Sequence, residues 1–319
     1  MRIDPRLTVT IPEPGSRRYG AEPDCLLLQG LLPGDQAFLA QLEAGVPDGT
    51  EQAAGAAAGL DPERCTGLLR ALGGILVSVA PVPALRSERL AGEGHRPPPA
   101  GGDGLFLGRR ADAVVQVRGL GRAGALTVRL LAGAGVGTLL LEDPGRVGSA
   151  DVGGAYALTD VGLPRTQAAL RLAARTDPTL RVLPLPAGLP PAHLDLLLAA
   201  GRVPEAWTGP HPLLCLWPGG DGWNVGPLLV PGRTPCLDCL RLAHPELLAE
   251  GPAGTEDTAG SGAAAGLAVL QVLAFIEARV RPAAWSAVLR VRSADGWVGR
   301  LPLEQHPECL CRLQRRGAA

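Results

Sequence analysis

Ala113-Val114-Val115-Gln116-Val117 is followed, one arginine later, by Gly119-Leu120-Gly121-Arg122-Ala123-Gly124. Leu126 to Leu131 comes next, and then Thr138-Leu139-Leu140-Leu141-Glu142-Asp143. An apolar run of strand length, a glycine turn, a helical stretch and a second apolar run open a doubly wound α/β domain. The glycines have the spacing of a dinucleotide-binding turn. Gly119 permits the tight turn, Gly121 lets backbone approach a phosphate, and Gly124 lets helix and strand pack closely. Asp143 ends the second strand, where such folds place a carboxylate for a ribose. A domain that keeps its glycines only for packing would show the same spacing, so the turn alone does not decide function.

Further along, Pro164 to Arg175 reads as a helix and Arg181 to Leu185 as a strand. The stretch His193 to Ala199 is ambiguous, with a strand favoured at Leu196-Leu197-Leu198. Leu213 to Trp217 and Trp223 to Val230 flank Gly219-Gly220-Asp221-Gly222 and predict a hairpin. Ala287 to Val291 and Trp297 to Leu301, around Asp295-Gly296, predict a second. Between them, Ser261 to Val280 reads as a long helix. The expected architecture is a Rossmann-like α/β domain over residues 109–319.

Cysteines add a second pattern to that domain. Cys236-Leu237-Asp238-Cys239 is a CxxC on an expected turn, and Cys309-Leu310-Cys311 is a CxC far downstream. Four thiolates from two such pairs make a closed, structural Zn2+ site that ties the C-terminal tail to the domain. Reduced structural thiols or a redox CxxC are the alternatives, but a redox pair has no need of a second pair. His306 could replace one thiolate, although a solvated histidine is the simpler reading there. Cys25, Cys65 and Cys215 lie in apolar patterns that suit core thiols.

Upstream, residues 1–84 form a different texture. Leu7 to Ile11 alternates as a strand, and Cys25 to Leu28 is a short apolar run. Three helical patterns follow, the third capped by Asp61 with Pro62 at its first position. Gly73-Gly74 stops it, and Ile75 to Val79 reads as a last strand. Small strands followed by three helices suggest a winged-helix α+β module. Residues 85–108, with His95-Arg96-Pro97-Pro98-Pro99 and Ala100-Gly101-Gly102, read as a Pro/Gly-rich linker without regular packing.

Composition narrows the function classes. All 30 cationic side chains are arginine, so no step can use a lysine ammonium or a Schiff base. A net charge of −1 without a basic run argues against nucleic acid as partner. The N-terminus has no signal pattern. No apolar run reaches membrane-span length, since the stretch Gly262 to Ile276 is bounded by Glu277 and Arg279. The expectation is a cytoplasmic chain with no membrane contact and reduced cysteines.

From Val114 to Asp143, the chain resembles the nucleotide-binding opening of the ThiF-type family, which includes the ubiquitin-activating enzymes. The likeness continues through Gly162-Leu163-Pro164-Arg165, Val225-Gly226-Pro227 and Pro231 to Leu240, and ends at His306-Pro307-Glu308-Cys309-Leu310-Cys311. It covers about the last two thirds of the chain. The phrase Gly232-Arg233-Thr234-Pro235-Cys236-Leu237-Asp238-Cys239-Leu240 is similar to the ThiF-related partner proteins of YcaO cyclodehydratases, which act in making azole-containing ribosomal peptides. That resemblance implies an N-terminal module, similar to PqqD, that recognises the leader of a precursor peptide. It further implies a YcaO-type enzyme acting in trans and pairing of two copies of the chain. The leader would add a strand beside Asp24 to Gln29, touching Cys25 and Leu27, and pack on the helix that carries Arg64, Leu68 and Arg70.

The family's adenylating members use an arginine from an Asn-Arg-Gln triplet, a later lysine and a magnesium aspartate. Here the matching stretch is Ser149-Ala150-Asp151-Val152-Gly153-Gly154-Ala155, the lysine position carries Arg165, and no such aspartate follows Leu198. Arginine is not an equivalent point charge for a phosphate. The sequence therefore favours a degenerate adenylating domain serving as a leader-peptide docking scaffold. The rival reading is a working ATP-dependent adenylyltransferase that activates a peptide or sulfur-carrier carboxylate through Gly119, Gly121, Gly124, Asp143 and Arg165 as the catalytic candidate. A zinc-stabilised NAD-dependent oxidoreductase ranks third, for want of a recognisable proton-transfer residue.

Overall fold

The computed structural model describes the chain except residues 5–6, 21–24, 48, 78–83, 91, 94–105, 187–190, 192, 249–255, 279 and 312–319. Two compact units result, Met1–Arg109 and Arg110–Ala319.

The first unit opens with β1 (Arg2–Ile3), β2 (Val9–Thr10), β3 (Arg17–Tyr19) and β4 (Leu26–Leu28). Helices α1 (Pro33–Ala44), α2 (Glu51–Ala57) and α3 (Pro62–Leu72) follow, then β5 (Leu76–Val77) and α4 (Ala84–Leu90). Strands β2, β3 and β4 form an antiparallel sheet in that order, and β1 pairs with β5. Helices α1 and α3 bury Phe38, Leu39, Leu42, Cys65, Leu68 and Leu72 against Tyr19. Asp61 caps α3 as its sequence predicts, accepting the Arg64 amide at 2.8 Å. Helix α4 falls inside the stretch read as an irregular linker. Its Ala-Leu-Arg-Ser-Glu-Arg-Leu sequence has no proline, and the Pro/Gly block that dominates the composition lies beyond it. The Pro97 to Gly102 segment itself lies outside the described residues.

Asp35 pins α1 to α3. Its buried carboxylate accepts the Leu32 amide at 2.8 Å and Arg64 through Nε at 3.0 Å and Nη2 at 2.7 Å. The Arg64 hydrogen bonds, working against burial, hold the Asp35 carboxyl below the usual carboxylate range. A depressed folded value gives stability that is complete above the unfolded value, near pH 4. That stability drains away as pH falls through the folded value. Asp35→Asn should therefore cost about 1–3 kcal/mol at neutral pH. Between about pH 5 and pH 3 its melting temperature should fall less steeply than that of the unaltered chain. Parallel melting curves of the two proteins across that range would refute this.

Helix α5 (Phe106–Asp112) runs across the boundary between the units, and the second unit continues with β6 (Val114–Arg118), α6 (Arg122–Gly133), β7 (Thr138–Glu142), α7 (Arg165–Thr176), β8 (Arg181–Pro184) and β9 (Leu196–Ala200). After them come β10 (Leu213–Gly219), β11 (Gly222–Leu229), α8 (Leu237–Ala243), α9 (Thr258–Glu277), β12 (Ala287–Arg292) and β13 (Val298–Pro302). The strands β6 to β13 form one eight-stranded sheet in the order β13-β12-β11-β10-β9-β6-β7-β8. Strands β10, β9, β6, β7 and β8 are parallel neighbours, and β11 to β13 add antiparallel strands at one edge. The two expected hairpins are thus successive extensions of the parallel sheet. Strand β9 settles the ambiguous stretch: all five of its residues are buried, which is why its sequence is apolar without alternation.

One sheet face is covered by α6, α7 and α9, with Val115, Val117, Leu139, Leu141, Leu196 and Leu198 beneath them. Across the sheet, Leu197, Leu213, Cys215 and Trp217 pack with Leu237 and Leu240 of α8. Helix α9 corrects the sequence reading. It begins earlier, at Thr258, and its 20 residues are long and apolar enough to cross a membrane by length and composition. Its polar Ser261, Gln271 and Glu277 are all buried inside the unit, the arrangement of a core helix.

Candidate functional site

Chain order around the sheet reverses between β6 and β9: the chain steps outward from β6 through β7 to β8, then returns to the other side of β6 for β9 and β10. Doubly wound sheets bind ligands at such a switch point, beyond the carboxyl ends of the strands. The glycine turn sits there. Gly119 has φ +87°, and a Cβ on it would lie 2.0 Å from the Ala200 carbonyl oxygen at the end of β9. A Cβ on Gly124 would lie 1.9 Å from the Gly119 carbonyl oxygen. Packing inside the protein therefore demands both glycines. It does not demand Gly121, which has φ −64° and caps α6. A Cβ there would meet only the Asp151 Oδ1, at an ordinary 3.6 Å.

Asp143 lies beside the turn, as its place after β7 predicts, and acts as a staple. One oxygen accepts the Leu120 amide at 2.7 Å and the other the Gly145 amide at 2.6 Å. From the other side, the buried Tyr156 hydroxyl donates to the Leu120 carbonyl at 2.9 Å. Burial above all, and then the Asp151 charge, push the Tyr156 phenol up, so it stays a neutral donor. Asp143 also borders a recess of about 340 Å³ with Pro144, Thr166, Pro184, Leu185 and Pro186.

Arg165, the first residue of α7, points back towards the turn, where its guanidinium is already engaged. It binds Asp151 through Nε at 3.1 Å and Nη2 at 2.9 and 3.0 Å, and approaches Asp143 at 3.5 Å. Burial disfavours its charge, yet the Asp151 pairing outweighs this and raises its pKa. Asp151 is 6% exposed and also accepts the Gly148 amide at 2.9 Å. Arg122, at the start of α6, grips the backbone on both sides of Asp151 through the carbonyls of Ala150 and Val152. It reaches the Glu256 carbonyl as well. The Glu256 carboxyl is pushed up, first by burial and then by Asp151. Three acidic groups, Asp143, Asp151 and Glu256, thus stand against two arginines, Arg122 and Arg165. Sequence reasoning noted only what the Ser149 to Ala155 stretch lacks. Its aspartate, in a stretch searched for cations, was the signal that it missed.

The second constellation is sulfur. Sγ atoms of Cys236, Cys239, Cys309 and Cys311 all lie within 4.8 Å of one another, so the structure brings the two distant pairs together. Separations of 3.8, 3.4 and 3.5 Å are far beyond a disulfide bond. They match the ~3.8 Å between sulfurs 2.3 Å from a tetrahedral ion. The CxxC lies at a helix start rather than on a turn: Cys236 is the N-cap of α8 and Cys239 sits in its first turn. The Gln305 amide donates to the Cys311 Sγ at 3.2 Å, and the His306 backbone N–H to the Cys239 Sγ at 3.4 Å. The His306 ring accepts the Glu308 amide instead of joining the sulfurs. Burial pushes the Cys236, Cys239 and Cys309 thiols up, Cys236 to about 11, while hydrogen bonds, that of Gln305 foremost, outweigh burial and lower Cys311; a bound cation is what would keep all four as thiolates. The donor set fits a metal ion that takes four sulfurs.

The peptide-site candidates of the first unit divide. Strand β4 is an edge, paired with β3 on one side only among the described residues. Its Leu27 is 40% exposed, and Cys25 just before it is half-buried. Arg64 is partly exposed but paired with Asp35, whereas Leu68 is buried in the core beneath α3. The helical face that unites Leu68, Leu69 and Leu72 is the inward one, so Leu68 can support a docking surface only from below.

No protein-family model and no curated protein matches the chain. Solved structures do. E. coli MccB with ATP matches over 97% of this chain and 98% of its own, at a TM-score of 0.59 and 16% identity. The microcin C7 biosynthetic enzyme MccB in complex with N-formylated MccA matches over the same shares, at a TM-score of 0.60 and 15% identity. PaaA matches over 76% of this chain and 92% of its own, at a TM-score of 0.58 and 17% identity. The chain shares the fold of these structures.

Proposed function

We propose that this protein is a leader-peptide recognition and docking scaffold, built on a ThiF-type domain that has lost adenylation. Two observations support this reading, and the first carries it: β4 is paired on one side only among the described residues of the small unit, and in the other unit the glycine turn is faced by the chain's own carboxylate. An extended leader would add a strand along β4 and contact Cys25 and Leu27, with Arg64 beside it and Leu68 beneath. A winged-helix, PqqD-like module of this kind would present the precursor to a YcaO-type cyclodehydratase acting in trans in the cytoplasm. A Zn2+ ion held by Cys236, Cys239, Cys309 and Cys311 would be structural, since all four positions are filled by protein and none is open to substrate. MccB in complex with MccA offers a parallel for peptide binding by this fold.

Calorimetric titration of the full chain with a synthetic leader of the precursor peptide encoded beside its gene tests the proposal. Saturable binding is expected, weakened at least about tenfold by Leu27→Asp. ATP–pyrophosphate exchange should remain at background. No binding, or binding indifferent to the substitution, would sink the reading.

A further inference from the structure

The residues around the glycine turn do not fit a triphosphate, and the misfit has a specific form. We propose that Asp151 is a built-in occupant of the phosphate position: its carboxylate stands where an incoming phosphate would, and it holds the Arg165 guanidinium in a bidentate pair. Three observations on different residues converge on it. Gly121 keeps an open face that packing does not require, with the Asp151 Oδ1 3.6 Å from the point a Cβ would reach. The opening turn of α6 has no side-chain cap, so its backbone N–H groups attract negative charge, and the Asp151 carboxylate is the charge that faces its N-cap Gly121. The carboxylate is not a loose surface group. Arg122 clamps the carbonyls of Ala150 and Val152 on either side of it, the Gly148 amide binds it at 2.9 Å, and Arg165 closes on it at 2.9 to 3.1 Å. A polyphosphate entering here would meet a like charge at contact distance and a cation already neutralised. The turn is therefore a self-filled anion site, and Asp151 is the residue that determines its refusal of nucleotides.

The inference deepens the scaffold reading but is separable from it. The probes are inorganic tripolyphosphate and ATP, titrated calorimetrically into the full chain, with leader-peptide binding measured on the same samples. The unaltered protein should show no saturable polyphosphate binding. Asp151→Asn keeps the size and the Gly148 hydrogen bond while removing the charge and freeing Arg165, and Asp151→Ser keeps a short acceptor. Each should bind tripolyphosphate saturably, at least about a hundredfold more tightly than the weakest binding that the titration of the unaltered chain would detect. Adding Gly121→Ala to either should abolish the gain, because a methyl group then fills the space a phosphate would use. The same change alone should leave thermal stability unaltered. Equal polyphosphate affinity in the unaltered chain and the variants would overturn the proposal. So would folded variants that bind none. Failure of both variants to fold would also overturn it, by making Asp151 a structural residue. Polyphosphate binding gained by the variants in a chain that never binds leader would leave this inference standing and remove the scaffold reading.

Discussion

Stripping the metal from the four-cysteine site is expected to lower the melting temperature by about 10–15 °C. The magnitude follows from what the site joins. Cys236 and Cys309 are 73 residues apart in sequence, and Cys309 and Cys311 lie at the end of the described chain. Cross-linking a loop of that length removes about 4 kcal/mol of chain entropy from the unfolded state. A unit of about 200 residues converts each kcal/mol into about 2–4 °C. Cys236→Ser and Cys309→Ser should each reproduce the effect and abolish stoichiometric zinc, because three sulfurs do not close a structural tetrahedron. Cys215 is the control. Its thiol is fully buried, pushed up to about 12 by that burial, and is not one of the four clustered sulfurs, so its replacement should leave the response to a chelator intact. If melting is indifferent both to chelation and to Cys236→Ser, the four sulfurs are a cluster of reduced thiols and the zinc assignment fails.

How much of this was legible in the sequence depended on whether the signal was local. The glycine turn and its flanking strands were legible because one apolar period, three glycines and an aspartate fall within a short span with fixed roles. The sulfur cluster was legible for another reason. CxxC and CxC each bring two ligands together whatever the fold does between them. Sheet order was not legible: nothing in Leu213 to Val230 says that its hairpin joins β9 in parallel rather than standing alone. Two misses share a cause. Helix α4 was hidden by the prolines beyond it, and Leu68 was assigned to a peptide although its own periodicity with Leu69 and Leu72 marks the core face. In both, a compositional or family expectation overrode the pattern in the residues. Asp151 is a third kind of miss. Its meaning depends on the path of the backbone around Gly148 and on Arg165 reaching back from α7, which no spacing rule encodes.

The same limit on sequence reading hides the interaction whose removal should cost most in the core. Arg110 of α5 is 0% exposed, and its guanidinium meets the Glu277 carboxylate, with Nε to Oε1 at 2.8 Å. Nη1 donates to the Ala134 carbonyl just past α6, also at 2.8 Å. Glu277 is the last residue of α9, the negative end of that helix dipole, which is an unfavourable place for an anion unless a cation answers it. In the sequence it simply bounds the apolar stretch Gly262 to Ile276. Burying two charges is costly, so the pair adds little net stability as a pair, but either partner left alone is an uncompensated buried ion. Arg110→Met and Glu277→Leu should each destabilise by about 3–5 kcal/mol. The double substitution Arg110→Met with Glu277→Leu should recover most of that loss, because two apolar side chains of similar volume need no counter-charge. Denaturant unfolding of the four proteins gives the coupling directly. Single substitutions costing less than about 1 kcal/mol, or a double variant as unstable as the sum of its parts, would mean that water reaches the pair and that α5 and α9 are held by apolar packing alone.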